Sequence, residues 1–147
     1  MARLMRWFGW GGVVLLILLY PMLISIYVTL PLFIGFAGYL IVRGLNGEGW
    51  RYLLLPMFYL ANLEVNLSLP LFLTLAAVLI YYLFLYPSVL FLKRCSVCVA
   101  VLSVIFIDLI YLGLILLYDF IFASGSIEIN ILLLYSLAMD VLAAVIL

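Results

Sequence analysis

The six basic residues of this chain fall at only three places, and that spacing limits its fold more than any other feature. Arg3 and Arg6 open the sequence, Arg43 and Arg51 flank a glycine-rich stretch, and Lys93 and Arg94 precede a third long apolar run. The intervening sequence is largely hydrocarbon. Short loops that carry an excess of Lys and Arg face the cytoplasm in membrane proteins. The three basic points are therefore expected on one side of a bilayer, with the chain leaving and returning between them.

Composition agrees with a bilayer as solvent. Hydrophobic residues make up 72% of the 147 positions, against roughly half in soluble domains. A soluble fold of this length could not hide so much apolar side chain. With no net charge, the chain lacks a basic patch for phosphates, which excludes nucleic-acid binding. The opening run has the charged front and apolar stretch of a signal peptide, but bulky Tyr20, Met22 and Leu23 stand where small residues would mark cleavage. It reads as a retained first span, with Trp7 and Trp10 as interfacial anchors.

A helix crosses the hydrocarbon core in about 20 residues. Residues 7–42 fit two short spans with a break at Pro21 and Ser25–Pro31. Residues 52–92 fit two, with a break between Asn62 and Pro70, and residues 95–147 fit two more, with a break between Asp119 and Asn130. The expectation is one all-α transmembrane domain over 1–147: six segments, three hairpins, both termini cytoplasmic. Segment two is short if its helix starts only after Pro31. The three units look alike in topology rather than in side chains. Asn62, Glu64, Asn66 and Ser68 alternate with apolar residues, as do Ser126, Glu128 and Asn130. A period of two suggests extended chain, and irregular loop is the equal alternative.

Three acids fall within the apolar profile: Glu64, Asp108 and Asp140. An ionised Asp at the centre of a spanning helix costs about 2.5–3.5 kcal/mol on insertion scales. Every basic residue is assigned to one edge, so these acids have no internal cation. Protonation, hydrogen bonds to groups such as Tyr111, Tyr135, Ser136, Asn62 or Asn66, or contact with a second protein would each resolve the mismatch. Ser136, Asp140 and Ala144 are spaced four apart, a small-residue stripe that lets another helix approach closely, and Asp108 shares a helix face with Tyr111.

Cys95 and Cys98 form a CxxC pair, but with two sulfurs and no histidine a tetrahedral metal site cannot be completed. They read as packing residues on a face continued by Ser96, Ala100 and Ser103. No metal site, no cofactor and no catalytic constellation is expected: the chain has no histidine base and no G-x-S-x-G, H-E-x-x-H or P-loop pattern.

One stretch, roughly residues 30–95, resembles the bacterial rod-shape family MreD. YLIVRG runs from Tyr39 to Gly44, the following loop holds Gly47 and Gly49, a span closes on Glu64, Asn66 and Ser68 form a polar turn, and the chain restarts at Pro70-Leu71-Phe72. Glu64 stands where that family usually has Asp, and the family's Gly-Leu before the acid is missing. The resemblance implies a non-enzymatic inner-membrane scaffold of the cell-wall elongation machinery, with a coiled-coil partner of the MreC kind. Glu64, Asp108, Asp140, Asn62, Asn66 and Ser136 would then hold the bundle or its partner. Arg43, Arg51, Lys93 and Arg94 would meet cytoplasmic anionic lipid. The rival readings are a small-ligand-binding subunit like those of energy-coupling-factor transporters, with a cavity opening near 62–68 and 124–130, and a proton or cation conduit through Asp108 and Asp140.

Overall fold

The computed structural model describes residues 2–27, 29–92, 94–123 and 131–146, with side chains from residue 11 onward except at 13, 92 and 131–133. The described residues are mainly helical, with no strand among them. Helix α1 covers Ala2–Ile26, α2 Ile34–Arg43 and α3 Trp50–Asn66. Helix α4 (Leu73–Ile80) continues through a wide π-type turn at Tyr81–Leu85 into α5 (Tyr86–Val89) and a tight turn at Leu90–Leu92. The long α6 (Ser96–Phe122) and α7 (Ile131–Ile146) complete the fold. Counting α4–α5 as one path gives six helical segments.

Helix α2 is the centre of the bundle. It packs against α3, α4, α6 and α7, and Ile34, Gly35, Ala37, Gly38, Ile41 and Val42 are all buried. Two glycines permit this. A Cβ on Gly38 would come within 2.9 Å of Ile107 and Val78, and one on Gly35 within 2.6 Å of the Asp108 carboxyl. Helix α1, by contrast, packs chiefly on α3 and leaves Leu15, Leu16, Leu18, Met22 and Ile26 exposed.

Prolines explain several of the polar contacts. Pro21 lies inside α1, so the segment break starts after it, not at it. Proline has no N–H for the carbonyl four residues back, here Ile17. Asn62 of α3 reaches across and donates from Nδ2 to Ile17 O (3.4 Å) and Leu18 O (3.1 Å). In the same way Pro87 follows a π-type turn, where such defects in the helical ladder are absorbed. That turn buries Tyr81, whose hydroxyl hydrogen-bonds Ser103 Oγ at 2.6 Å.

Several sequence expectations need correction. The alternating residues Asn62, Glu64 and Asn66 lie in helix α3, because burial of Tyr59, Leu60, Leu63 and Glu64 follows a helical period. The second alternating run, 126–130, lies outside the described residues. Cys95 and Cys98 are not packing residues but a disulfide, with Cα atoms 5.2 Å apart across the first turn of α6. Cys95 also caps that helix, its Sγ accepting from Cys98 N. Ser96 and Cys98 are exposed while Ala100 and Ser103 are buried, so the proposed small-residue face starts only at Ala100.

The first two hairpins also share side chains, not topology alone. Pro31 and Pro70 lie 39 positions apart, and at that offset Tyr20 matches Tyr59, Leu30-Pro31-Leu32-Phe33 matches Leu69-Pro70-Leu71-Phe72, and Ala37, Leu40 and Ile41 match Ala76, Leu79 and Ile80. The backbone repeats too. Phe33 and Phe72 both take the left-handed conformation (φ 51° and 65°) immediately before a new helix. Proline holds its predecessor out of the helical region, and the left-handed Phe redirects the chain into α2 or α4.

Candidate functional site

Each Leu-Pro-Leu-Phe break leaves the first N–H groups of the next helix without helical acceptors. Buried acids supply them. At the second break Glu64, on the last turns of α3, is 1% exposed. Its Oε2 accepts from Phe72 N (2.7 Å), and its Oε1 accepts from Thr74 N (2.8 Å) and Thr74 Oγ1 (2.7 Å). At the first break the position matching Glu64 is Ser25, whose hydroxyl turns back to Met22 O. The acceptor comes instead from α7, more than a hundred residues along. Asp140 Oδ2 accepts from Gly35 N at 2.8 Å and Phe36 N at 3.4 Å. A carboxylate at a helix N-terminus is favoured by both the free N–H groups and the helix dipole.

The rest of the first break is tied by side chains of three helices. Tyr20 of α1 donates to Pro31 O (2.9 Å), Tyr59 of α3 to Leu32 O (2.7 Å), and Leu32 N donates to Ser136 Oγ of α7 (3.1 Å). Irregular backbone inside the bundle thus has a protein partner for each of these groups, as it must wherever water is excluded.

Asp108 joins this centre. Its carboxyl lies against Gly35, beside the Asp140 carboxyl. Asp108 Oδ2 and Asp140 Oδ1 are buried without a hydrogen-bond partner. The stripe Ser136, Asp140, Ala144 therefore faces α2 and α6, with Ala144 packed against Ala100 and Val104.

Sequence reasoning chose the acids and missed their partners. None of the groups named beforehand as partners binds an acid among the hydrogen bonds described: Tyr111 Oη is buried without a partner, Tyr135 is exposed, and Asn66 donates to Asn62. The partners are main-chain N–H groups, with one threonine. Glu64 stands apart from the Asp108–Asp140 pair. Among the described residues, no group of three or more metal-ligating side chains occurs.

The basic residues divide. Arg43 is ion-paired with Glu48 (2.5 Å) and lies over the Tyr52 ring, so its charge is engaged within the protein rather than offered wholly to lipid. Arg51 and Arg94 are exposed, and Lys93 lies outside the described residues. Asn46, in the turn after Arg43, donates to Tyr86 Oη at 2.8 Å, which ties the Arg43 end of α2 to the end of the α4–α5 path.

A groove of about 870 Å³ opens at the same end. It lies between α1, α2, α3 and Ala143 of α7, with an apolar wall that includes Leu16, Phe36, Leu40 and Leu55. Glu48, Trp50 and Arg51 border one end, and Tyr20, Phe33 and Tyr59 close the other. Residues 62–68, where sequence reasoning expected an opening, do not line it. Among the described residues, one helix, Ser96–Phe122, is long and apolar enough to cross a membrane, and Val14–Ile26, Leu73–Val89 and Leu134–Ile146 are shorter apolar helices. No protein family, no curated protein and no solved structure matches this chain.

Proposed function

We propose that this chain is a six-span integral protein of the inner membrane and a non-enzymatic scaffold of the MreD kind, serving a cell-wall elongation complex. The observation that carries the reading is the use of the buried acids. Glu64 and Asp140 are engaged in capping helices that restart inside the bundle, and an acid so engaged is a structural group. The depth of the first break suits a bilayer. Gly35 lies eight residues before Arg43, about 12 Å along a helix. With Arg43 at the membrane edge the carboxyl pair falls near the middle of a core about 30 Å thick. The broad apolar faces of α1 and α6 suit lipid or a partner's spanning helix.

Two experiments test this. In a background with Cys95 and Cys98 replaced by Ser, single cysteines at Gly47 and Asn66 are expected to label from opposite sides of sealed vesicles. Labelling of both from one side removes the six-span threading. Copurification from native membrane in mild detergent is expected to bring other cell-wall membrane proteins. A chain that purifies alone and monodisperse argues against a scaffold.

One observation favours a second reading, a proton conduit: Asp108 and Asp140 converge in the bundle. A conduit requires that Asp108→Asn abolish proton flux in vesicles while folding is kept. The scaffold reading expects no flux from either protein.

A further inference from the structure

We propose that Cys95 and Cys98 form a thiol–disulfide exchange site, which accepts two electrons from a water-soluble dithiol at the membrane surface. The exchange chemistry is independent of the scaffold reading, and only its place at the surface rests on the membrane reading above. The bond itself contributes little to the fold. It ties residues three apart in sequence, which the first turn of α6 already holds through Val99 N donating to Cys95 O (3.1 Å). A cross-link over so short a loop removes little chain freedom. Helix α6 has 27 residues, about 40 Å at the helical rise, against a hydrocarbon core of roughly 30 Å. Its first turn therefore stands among the headgroups, where a dissolved thiol reaches it.

The two sulfurs are not equivalent. Cys98 is exposed and Cys95 half-buried, so an incoming thiolate reaches Cys98. Cys95 Sγ accepts from Cys98 N at 3.2 Å and stands at the N-terminus of α6, and Lys93 and Arg94 directly precede it in sequence. An N–H donor, a helix N-terminus and basic neighbours all favour a departing thiolate. The accessible sulfur and the better leaving group thus lie at opposite ends of one bond, as exchange requires. The incoming sulfur bonds to Cys98 Sγ, the Cys95–Cys98 bond breaks, and its electron pair leaves on Cys95 Sγ. Cys95 then stands ready to reverse the attack of a monothiol. A dithiol escapes this: its second thiolate attacks its own sulfur in the mixed disulfide and releases Cys98 as a thiolate. The reductant departs as a disulfide, and the two protons it lost are taken up by Cys95 and Cys98.

The chain has two cysteines in all, so thiol trapping reads this pair alone. The probes are dithiothreitol and reduced glutathione, applied to the oxidised full chain in mild detergent. Dithiothreitol is expected to reduce the folded chain readily, and glutathione at equal thiol concentration far less completely. After a short glutathione pulse quenched with N-ethylmaleimide, peptide mapping is expected to find glutathione on Cys98 and the maleimide on Cys95. Position 96 is exposed in the first turn. Ser96→Glu is expected to slow reduction about threefold, because a negative charge there opposes the leaving thiolate, and Ser96→Lys to speed it by a similar factor. Unfolding by detergent titration is expected to be alike before and after reduction. A bond that resists both thiols until the chain unfolds overturns the proposal, as does a rate indifferent to the charge at position 96. Glutathione found on Cys95 overturns the division of roles between the sulfurs. Reduction by glutathione, which does not cross the bilayer, is also expected from one side of sealed vesicles. Reduction in detergent but from neither side of vesicles overturns the surface placement, whereas failure in detergent overturns the exchange site and leaves the membrane reading intact.

Discussion

The two Leu-Pro-Leu-Phe breaks begin from nearly the same sequence and are held by different means. The second is local: Glu64 reaches eight and ten residues ahead to Phe72 and Thr74, and Leu69 N returns to Glu64 O. The first is assembled from afar, with acceptors Asp140 and Ser136 separated from it by 105 and 104 residues. A local cap forms whenever its own hairpin forms. A distant cap forms only when α7 has docked. The same backbone problem has thus been solved once within a hairpin and once by the whole bundle, which makes the first break the point where folding of α2 depends on its neighbours.

Substitutions can break this contrast, beginning with the largest expected effect. Asp140→Ala leaves Gly35 N and Phe36 N without an acceptor, at about 1–3 kcal/mol each. Unfolding by detergent titration is expected to show that loss, with faster hydrogen exchange in both α2 and α7. Exchange confined to Gly35 and Phe36 would mean that α7 docks without this contact. Glu64→Gln is expected to cost about 1–3 kcal/mol, because one acceptor becomes an NH₂ facing Phe72 N or Thr74 N. Its exchange should rise only at the start of α4, and spread into α7 would erase the distinction between the breaks.

Gly35→Ala sharpens the comparison, since Thr74 occupies the matching place in the second break. A Cβ there meets the Asp108 carboxyl at 2.6 Å, and overpacking of this sort costs about 1–3 kcal/mol. Ser136→Ala removes the acceptor of Leu32 N and is expected to cost about 1 kcal/mol. The smallest effect is expected for Asp140→Asn, roughly 0.5 kcal/mol. Its amide oxygen still accepts from Gly35 N, while its NH₂ can turn toward the Asp108 carboxyl, whose Oδ2 has no partner. A cost for Asp140→Asn as large as for Glu64→Gln would show that the new NH₂ finds no acceptor on Asp108.

Much of this was legible in the residues. Long apolar runs between basic points placed the hairpins, and the observed segments differ from the expected ones mainly in where each break starts. The three acids stood out because nothing apolar requires them. The 39-residue repeat is also present in the sequence but runs out of phase with the basic points, since its identities centre on Pro31 and Pro70. Period-two alternation misled at Asn62–Asn66, where helical burial decides the backbone and the polar residues serve other ends: Asn62 answers the proline-opened carbonyls of α1. The CxxC spacing of Cys95 and Cys98 admits redox, metal, lipidation and packing readings alike, and only the folded chain shows the disulfide.

By itself, the sequence determined the hydrocarbon character of the chain, its helical class, the prolines that interrupt it and the acids that had to find partners. These follow from composition and from local backbone sterics, which need no knowledge of neighbours. Only the tertiary structure decided that the partners are main-chain N–H groups, that Asp108 meets Asp140 at Gly35, and that a groove opens beside Arg51. A free N–H is present at the start of every helix, and its sequence cannot say which distant carboxylate will come within 3 Å. That choice belongs to how the helices pack.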